Sequence, residues 1–460
     1  MPDQGLLAPA IMPTLDQAGS LIHQIVPPSL PGFGTTLPLT AASTRFPTAV
    51  GRAADPTKTP MMSSDLEAYL ASPAGQHNVG LLGGYPGMAF LKGMPTNEAA
   101  QAAIQRFSEN MTHVFERSPR IMQRVSPIWY EGGNRITSEW ADKYGVPQQS
   151  MAAATAVLSP SKDWFQNVSM AQRTADILFN KAKMPFSSDM AARGKEIYTS
   201  PANQQLLKRI TGKRLIDLKD PTEKAAWIRL YDEAHHSSHY RAVAPDGGLG
   251  DFVRNADGSE RVMVWQSLDN VAKSVKALES GGDMKTISPL LGVMHKFRNF
   301  YNNLTHPEHQ IGATVDTHQV AGGLLSPLGS KDIAVKHAMP GTPLTPEDRA
   351  AGEIAAMGSS VTGFKGTYPI FEAATKRAGE QLGLLQHKAQ SGVWEPVRTL
   401  FDVKSPKMKQ AVAGIWGNVD RGLLSPAQAR DQIFEVAGGI KLPDWAAGGL
   451  LLNPRSASTY

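Results

Sequence analysis

One lysine and one aspartate stand out as residues whose types and spacing could do chemistry together. Between Leu290 and Val320 the chain reads LLGVMHKFRNFYNNLTHPEHQIGATVDTHQV. Gly292 sits between apolar residues and is followed by a basic helical start, which predicts a tight hairpin between two helices with outward-facing backbone amides. Unpaired N–H groups and the positive end of a helix dipole favour an anionic oxygen such as phosphate. Lys296 lies at the start of the second helix. Asp316 follows a short apolar approach, Ile311 to Val315, and precedes an apolar-rich run, so it is expected at a helix N-cap, rigidly held and ionised. Each residue also has an ordinary reading: an aspartate that only caps, and a lysine that is only solvated.

LLGVMHK followed by VDTHQV resembles the helix-hairpin-helix DNA glycosylases of the endonuclease III type, in which a Leu-Gly-Val hairpin ends in a lysine and a later VDTH carries an essential aspartate. This chain has Met294 where that family usually has a second glycine, and Leu291 where it often has proline. The resemblance makes Lys296 the candidate nucleophile and Asp316 the candidate catalytic carboxylate. It also assigns Gly292, Val293, His295 and Arg298 to the DNA. A second stretch, Leu158-Ser159-Pro160 with Trp164 and Asn167 after it, resembles the early core of the same glycosylases, where a loop enters the DNA minor groove, and more closely a phage-encoded group. By that resemblance Ser159, Ser161 and Asn167 are DNA-binding candidates. A third stretch, GTYPIF through Q-x-x-x-W-E-x-x-R, is similar to the C-terminal part of the same phage group. Its Gln390, Trp394 and Arg398 recur every four residues and face one way on a helix. They either line the cleft holding Asp316 or lock helices together. With Trp164 and His318 they complete the candidate pocket; Trp164 could equally plug the core.

The elements that must position these residues are mostly helical. Apolar residues recur at helical spacing after Thr96 (Ile104, Phe107, Met111, Val114), in the segment carrying Ile136, Trp140 and Tyr144, and in Ser267 to Leu278. Met151 to Leu158 is a small-residue helix suited to close packing, and Val168 to Leu178 begins another after the SPSKDWFQN break. The expected fold is mainly α: a helix-hairpin-helix glycosylase-like core over residues 96–402, with an insertion at about 181–265. That insertion includes a β-hairpin turning at Asp257-Gly258. Residues 403–460 form a C-terminal helical extension, and residues 1–95 an extended Pro/Gly-rich arm with one short helix. Ten of the 33 prolines fall in residues 1–60 with only Phe33 and Phe46 as aromatics. Such a composition buries too little apolar surface to offset the entropy of ordering.

Composition removes several function classes. The 460 residues contain no cysteine, which excludes disulfides, cysteine-ligated zinc and iron-sulfur clusters. Lys and Arg number 46 against 41 Asp and Glu, a formal charge of +5 that permits nucleic-acid binding without requiring it. No apolar run reaches bilayer-spanning length and the first basic residue is Arg45, so a soluble protein without a secretion signal is expected, in host cytoplasm or phage virion. The glycine-rich GLLGGYPGMAFLKGMP lacks the GK[ST] ending of a phosphate loop. In DEAHHSSHY, His235 and His239 stand at i and i+4 with Glu233 nearby, but a third metal ligand is missing, so neither metal nor cofactor is called for. Two functions remain. One is a phage DNA-binding enzyme of helix-hairpin-helix glycosylase type, excising or processing modified bases. The other is a catalytically silent virion or ejected protein that assembles with other phage proteins through residues 1–60.

Overall fold

The computed structural model describes residues 63–255, 257–292, 295–310, 312–339, 343–358, 364–443 and 445. The arm expected over residues 1–60 lies outside the described residues. Among the described residues the fold is mainly helical, with one small antiparallel sheet of two strands, and no helix is long and apolar enough to cross a membrane.

In chain order the helices are α1 (Ser63–Ala71), α2 (Pro73–Leu82), α3 (Thr96–Arg117), α4 (Arg120–Val125), α5 (Trp129–Tyr144), α6 (Gln148–Val157), α7 (Trp164–Asn180), α8 (Ser188–Ile197), α9 (Pro201–Ile210) and α10 (Pro221–His235). The strands β1 (Arg241–Val243) and β2 (Leu249–Phe252) follow. Then come α11 (Leu268–Leu278), α12 (Met284–Leu291), α13 (His295–Thr305), α14 (Thr317–Leu324), α15 (Ile333–Ala338), α16 (Pro346–Ala350), α17 (Tyr368–Leu382), α18 (Gln386–Leu400), α19 (Pro406–Asp420) and α20 (Pro426–Ala437). Many helix starts are set by local chemistry. Ser187, Ser200, Ser267, Ser405 and Ser425 each accept a backbone N–H of the first turn through the hydroxyl, a cap worth ~1 kcal/mol.

Two hydrophobic cores divide the chain unequally. One is built from residues between Trp129 and Leu304, the other from residues 69–114 together with 315–437. The first is organised on α6, whose Ala152, Ala153, Ala154 and Ala156 are fully buried; short side chains let α5, α11 and α13 approach its backbone. Gly133 allows the same closeness between α5 and α13, since a Cβ there would lie 2.6 Å from Leu304. The second core centres on α3 against α17, where Phe107 and Phe371 stack in parallel at 4.6 Å. Both rings are fully buried, and removing either should cost about 3–5 kcal/mol.

The division differs from the expected domain boundaries. Residues 63–91 are no part of an arm: Tyr69 and Leu82 are fully buried, Asn78 donates 2.8 Å to the Met357 carbonyl, and Tyr69 Oη donates to Gly366. The stretch read as an insertion is core, because α10 contributes the fully buried Trp227 and Ile228. The C-terminal helices are also built in, through Trp416, whose Nε1 donates 3.2 Å to Leu325. A turn does form at Asp257-Gly258, with Gly258 at φ +84, but it is flanked by an isolated bridge, Arg254 to Glu260. The named sheet lies upstream, in β1 and β2. Helix α7 begins at Trp164 rather than Val168, because Asp163 caps it, accepting 2.9 Å from Gln166 N. Between α14 and α17 lie two short helices, α15 and α16, the second ending at Ala350.

Candidate active site

Lys296 and Asp316 open onto one cavity of about 100 Å³ at the seam of the two cores. Helix α13 supplies Lys296, Phe300 and Leu304, one residue per turn along a single face. Helix α5 adds Trp129 and Tyr130, the loop after α6 adds Ser159 and Lys162, and α7 adds Trp164 and Asn167. The remaining wall comes from Thr314 and Asp316 on the approach to α14, and from Gln390, Ser391 and Trp394 on α18.

The walls are aromatic and set edge to face. Trp129 meets Trp164 at 5.6 Å and Trp394 at 5.3 Å, and Trp164 meets Phe300 at 5.9 Å, all near perpendicular. Such contacts hold rings in place by quadrupole complementarity. Within these walls lie polar atoms without a partner among the described residues: Asn167 Oδ1, Trp129 Nε1 and Trp164 Nε1 are all buried and unpaired. Buried polar groups are nearly always satisfied, so water or a ligand is their expected partner. Gln390 is oriented: its Oε1 accepts 2.7 Å from Tyr130 Oη.

Asp316 is the N-cap of α14. Its Oδ1 accepts from His318 N at 3.0 Å and Gln319 N at 2.9 Å, while Oδ2 faces His318 Nδ1 at 3.4 Å. Burial works to raise its pKa, but the hydrogen bond and charge of His318, the charge of Lys296 and the Gln319 amide together hold it below the ordinary carboxylate value. Lys296 shifts the other way: burial lowers its pKa, against the partial opposition of Asp316. No carboxylate among the described residues lies within 4.0 Å of Lys296 Nζ. An ionised carboxylate thus faces an amine that deprotonates more readily than an exposed lysine, the combination needed for electrostatic and nucleophilic catalysis.

The two residues are registered by α13, which carries Lys296 and to which the approach to Asp316 is hydrogen-bonded. One turn after Lys296, Asn299 Nδ2 donates to the Ala313 carbonyl at 2.9 Å and to Glu372 Oε1 at 2.8 Å. One turn further, Asn303 Nδ2 donates to the Gly312 carbonyl at 3.0 Å. Tyr368 Oη donates to the same Ala313 carbonyl at 2.9 Å and accepts from Val315 N at 3.3 Å. The extended approach to Asp316 is therefore bound along its length to α13 and α17. Glu372 is fully buried, and burial pushes its carboxyl up to about 8 despite the Asn299 hydrogen bond.

Gly292 ends α12 at φ +66 and ψ −156, a region essentially confined to glycine, and α13 begins at His295. Val293 lies outside the described residues. Arg298, expected at a DNA phosphate, turns inward instead: it is 3% exposed, and its guanidinium donates 2.7 Å to the Gly292 carbonyl and 2.9 Å to that of Ser288. It closes the hairpin from within. His295, also expected at DNA, stacks on Phe364 at 4.4 Å, and burial with the nearby Arg298 charge lowers its pKa to about 4. It is neutral near pH 7 and contributes no cation.

Of the remaining sequence candidates, Ser159, Trp164, Asn167, Gln390 and Trp394 are brought together with the Lys–Asp pair. Ser161 is exposed at φ +55 in the loop beside them. His318 sits on the Asp316 carboxylate with its ring edge-on to Trp394 at 6.1 Å. Arg398 does the locking: it donates 2.8 Å to the buried Glu395, which also accepts from Trp445, and it stacks over Trp394 at 4.6 Å. The three-residue face on α18 therefore splits, two residues lining the cavity and one bracing it. Sequence reasoning missed Trp129, Tyr130, Lys162, Phe300, Leu304, Thr314 and Ser391. The first two begin WYEGG without a periodic signal, but Phe300 and Leu304 repeat the Lys296 position at i+4 and i+8 and could have been read.

The histidines of DEAHHSSHY do not converge. Helix α10 ends at His235, so His239 is not on its face and instead pairs across a β-bridge with Val262. Glu233 is held by Arg193 and Arg229 at 2.7 and 2.8 Å. A family of unknown function (DUF7178) matches residues 94–214, the segment that carries α3 to α9 and the Ser159–Asn167 wall of the cavity. No curated protein and no solved structure matches the chain.

Proposed function

We propose that the chain is a DNA-processing enzyme of helix-hairpin-helix glycosylase type, and that the cavity receives a single base turned out of DNA. The observation that carries this is the opening of Lys296 and Asp316 into one aromatic-walled cavity. A flipped base costs a few kcal/mol to unstack; stacking among Trp129, Trp164 and Trp394, with hydrogen bonds to Asn167 and Gln390, offsets that cost. As the glycosidic C1′–N bond breaks, the base departs with the electron pair and positive charge develops on the sugar. The ionised Asp316 stabilises that charge through a low-dielectric site. Either water or neutral Lys296 Nζ then bonds to C1′ and loses a proton to solvent or Asp316. Attack by lysine leads, through sugar ring opening, to a Schiff base.

The test is excision from a duplex panel that includes modified pyrimidines, scored for free base with the native chain and with Asp316→Asn. Release by the native chain and its loss in the variant is the expected result. Absence of base release together with absence of salt-dependent DNA retention would overturn the reading and leave the assembly role.

A further inference from the structure

The turn joining α13 to the Asp316 approach gathers three metal-ligating side chains that the lysine–aspartate chemistry does not use. In His306-Pro307-Glu308-His309, one ligand atom from each of His306, Glu308 and His309 falls within 4.8 Å of the others. Both imidazoles present the same atom to the same carboxylate oxygen: Nδ1 of His306 is 3.8 Å and Nδ1 of His309 3.6 Å from Glu308 Oε1. Ligands bound to zinc at ~2.0–2.1 Å in a tetrahedron stand roughly 3.3 Å apart, so small side-chain rotations bring these atoms onto one ion. The backbone is already fixed. His306 N donates 2.8 Å to Asn302, His309 N donates 3.1 Å to His306, and Gln310 Oε1 accepts 2.9 Å from Gln386 N on α18. The two rings lie nearly parallel, 5.7 Å apart.

The geometry points to a surface site in which His306, Glu308 and His309 bind one zinc-class divalent ion, water completing its coordination. Two imidazoles and one carboxylate select zinc, nickel or copper over calcium and magnesium, which take oxygen sets. The ion would staple the turn that connects the Lys296 helix to the Asp316 approach. An ion pair alone would explain Glu308 beside one protonated histidine. It gives no reason for both Nδ1 atoms to converge on one oxygen in a turn pinned at both ends.

Zinc titration of the untagged full chain after chelator treatment, by calorimetry and by thermal melting, tests this. The native chain should take up one saturable equivalent with a rise in Tm, and His235→Ala/His239→Ala should do the same. The His306→Ala/His309→Ala chain should lose that equivalent and its Tm rise, while its metal-free melt matches the metal-free native one because the three side chains are exposed. Glu308→Gln should weaken uptake without abolishing the melt. Failure of the native chain to take up zinc at micromolar concentration, or unchanged uptake by the His306→Ala/His309→Ala chain, would overturn the site.

Discussion

Asn299 Nδ2 lies 2.9 Å from the Ala313 carbonyl oxygen and 2.8 Å from Glu372 Oε1, so a single buried amide ties the lysine-bearing helix to the chain leading into Asp316. Replacing it by Ala takes a donor from the buried Glu372 carboxyl and leaves the Ala313 carbonyl with Tyr368 Oη alone, a loss of about 1–3 kcal/mol. Gly312 lies against the same amide, where a Cβ would fall 2.8 Å from it. Asn299→Ala should therefore lower the urea midpoint clearly, and should lower base release beyond what lost folding explains. A loss of stability below about 1 kcal/mol would show that the network is not what holds the approach.

Glu372 makes stability depend on pH in an unusual direction. Its folded-state value of about 8 lies above the 4.5 of an ordinary glutamate, so the folded chain keeps a proton that the unfolded chain has lost. The contribution is fully present below about pH 4.5 and is lost as pH rises toward about 8. Glu372→Gln keeps an acceptor for Asn299 and removes the titration. Its urea midpoint should exceed that of the native chain more at pH 8 than at pH 5; an equal difference at both would mean that Glu372 is ionised in the fold.

How far the site could be read from sequence depends on which part is local. Lys296 and Asp316 were legible because a hairpin glycine and an N-cap aspartate are written within a few residues of the groups they place, and the helical character of most segments followed from apolar spacing. What was not legible is non-local. Trp129 and Tyr130 reach the cavity only because α5 crosses α13 at Gly133. Tyr69 and Leu82 belong to a core completed by residues almost three hundred positions later. Arg298 misled for the opposite reason: a cation beside a hairpin has the composition of a phosphate contact, and only the structure shows it bound to the hairpin's own carbonyls.

The hairpin should be sensitive to backbone strain alone. Gly292 adopts φ +66 and ψ −156, yet a Cβ there would meet nothing within 4 Å. Gly292→Ala therefore isolates conformational cost from steric clash, and should destabilise by about 1–3 kcal/mol. The same variant should weaken DNA retention if the hairpin contacts phosphate. A thermally neutral Gly292→Ala would mean that the hairpin relaxes to another path in solution.

Lys296 provides the sharpest separation of chemical routes within the proposed reaction. Its side chain borders the cavity, burial lowers its pKa, and Asp316 only partly restores it. A lysine that attacks the sugar must be neutral, so strand cleavage should rise with pH along a limb that lies below the ordinary lysine value of 10.5. Borohydride should trap a covalent protein–DNA adduct with the native chain and none with Lys296→Ala, while Lys296→Ala retains some base release, because Asp316 still stabilises the sugar cation and can direct water to it. Trapping that persists in Lys296→Ala would assign the nucleophile to another amine. Base release without trapping in the native chain would make the lysine a binding group and the enzyme a hydrolase.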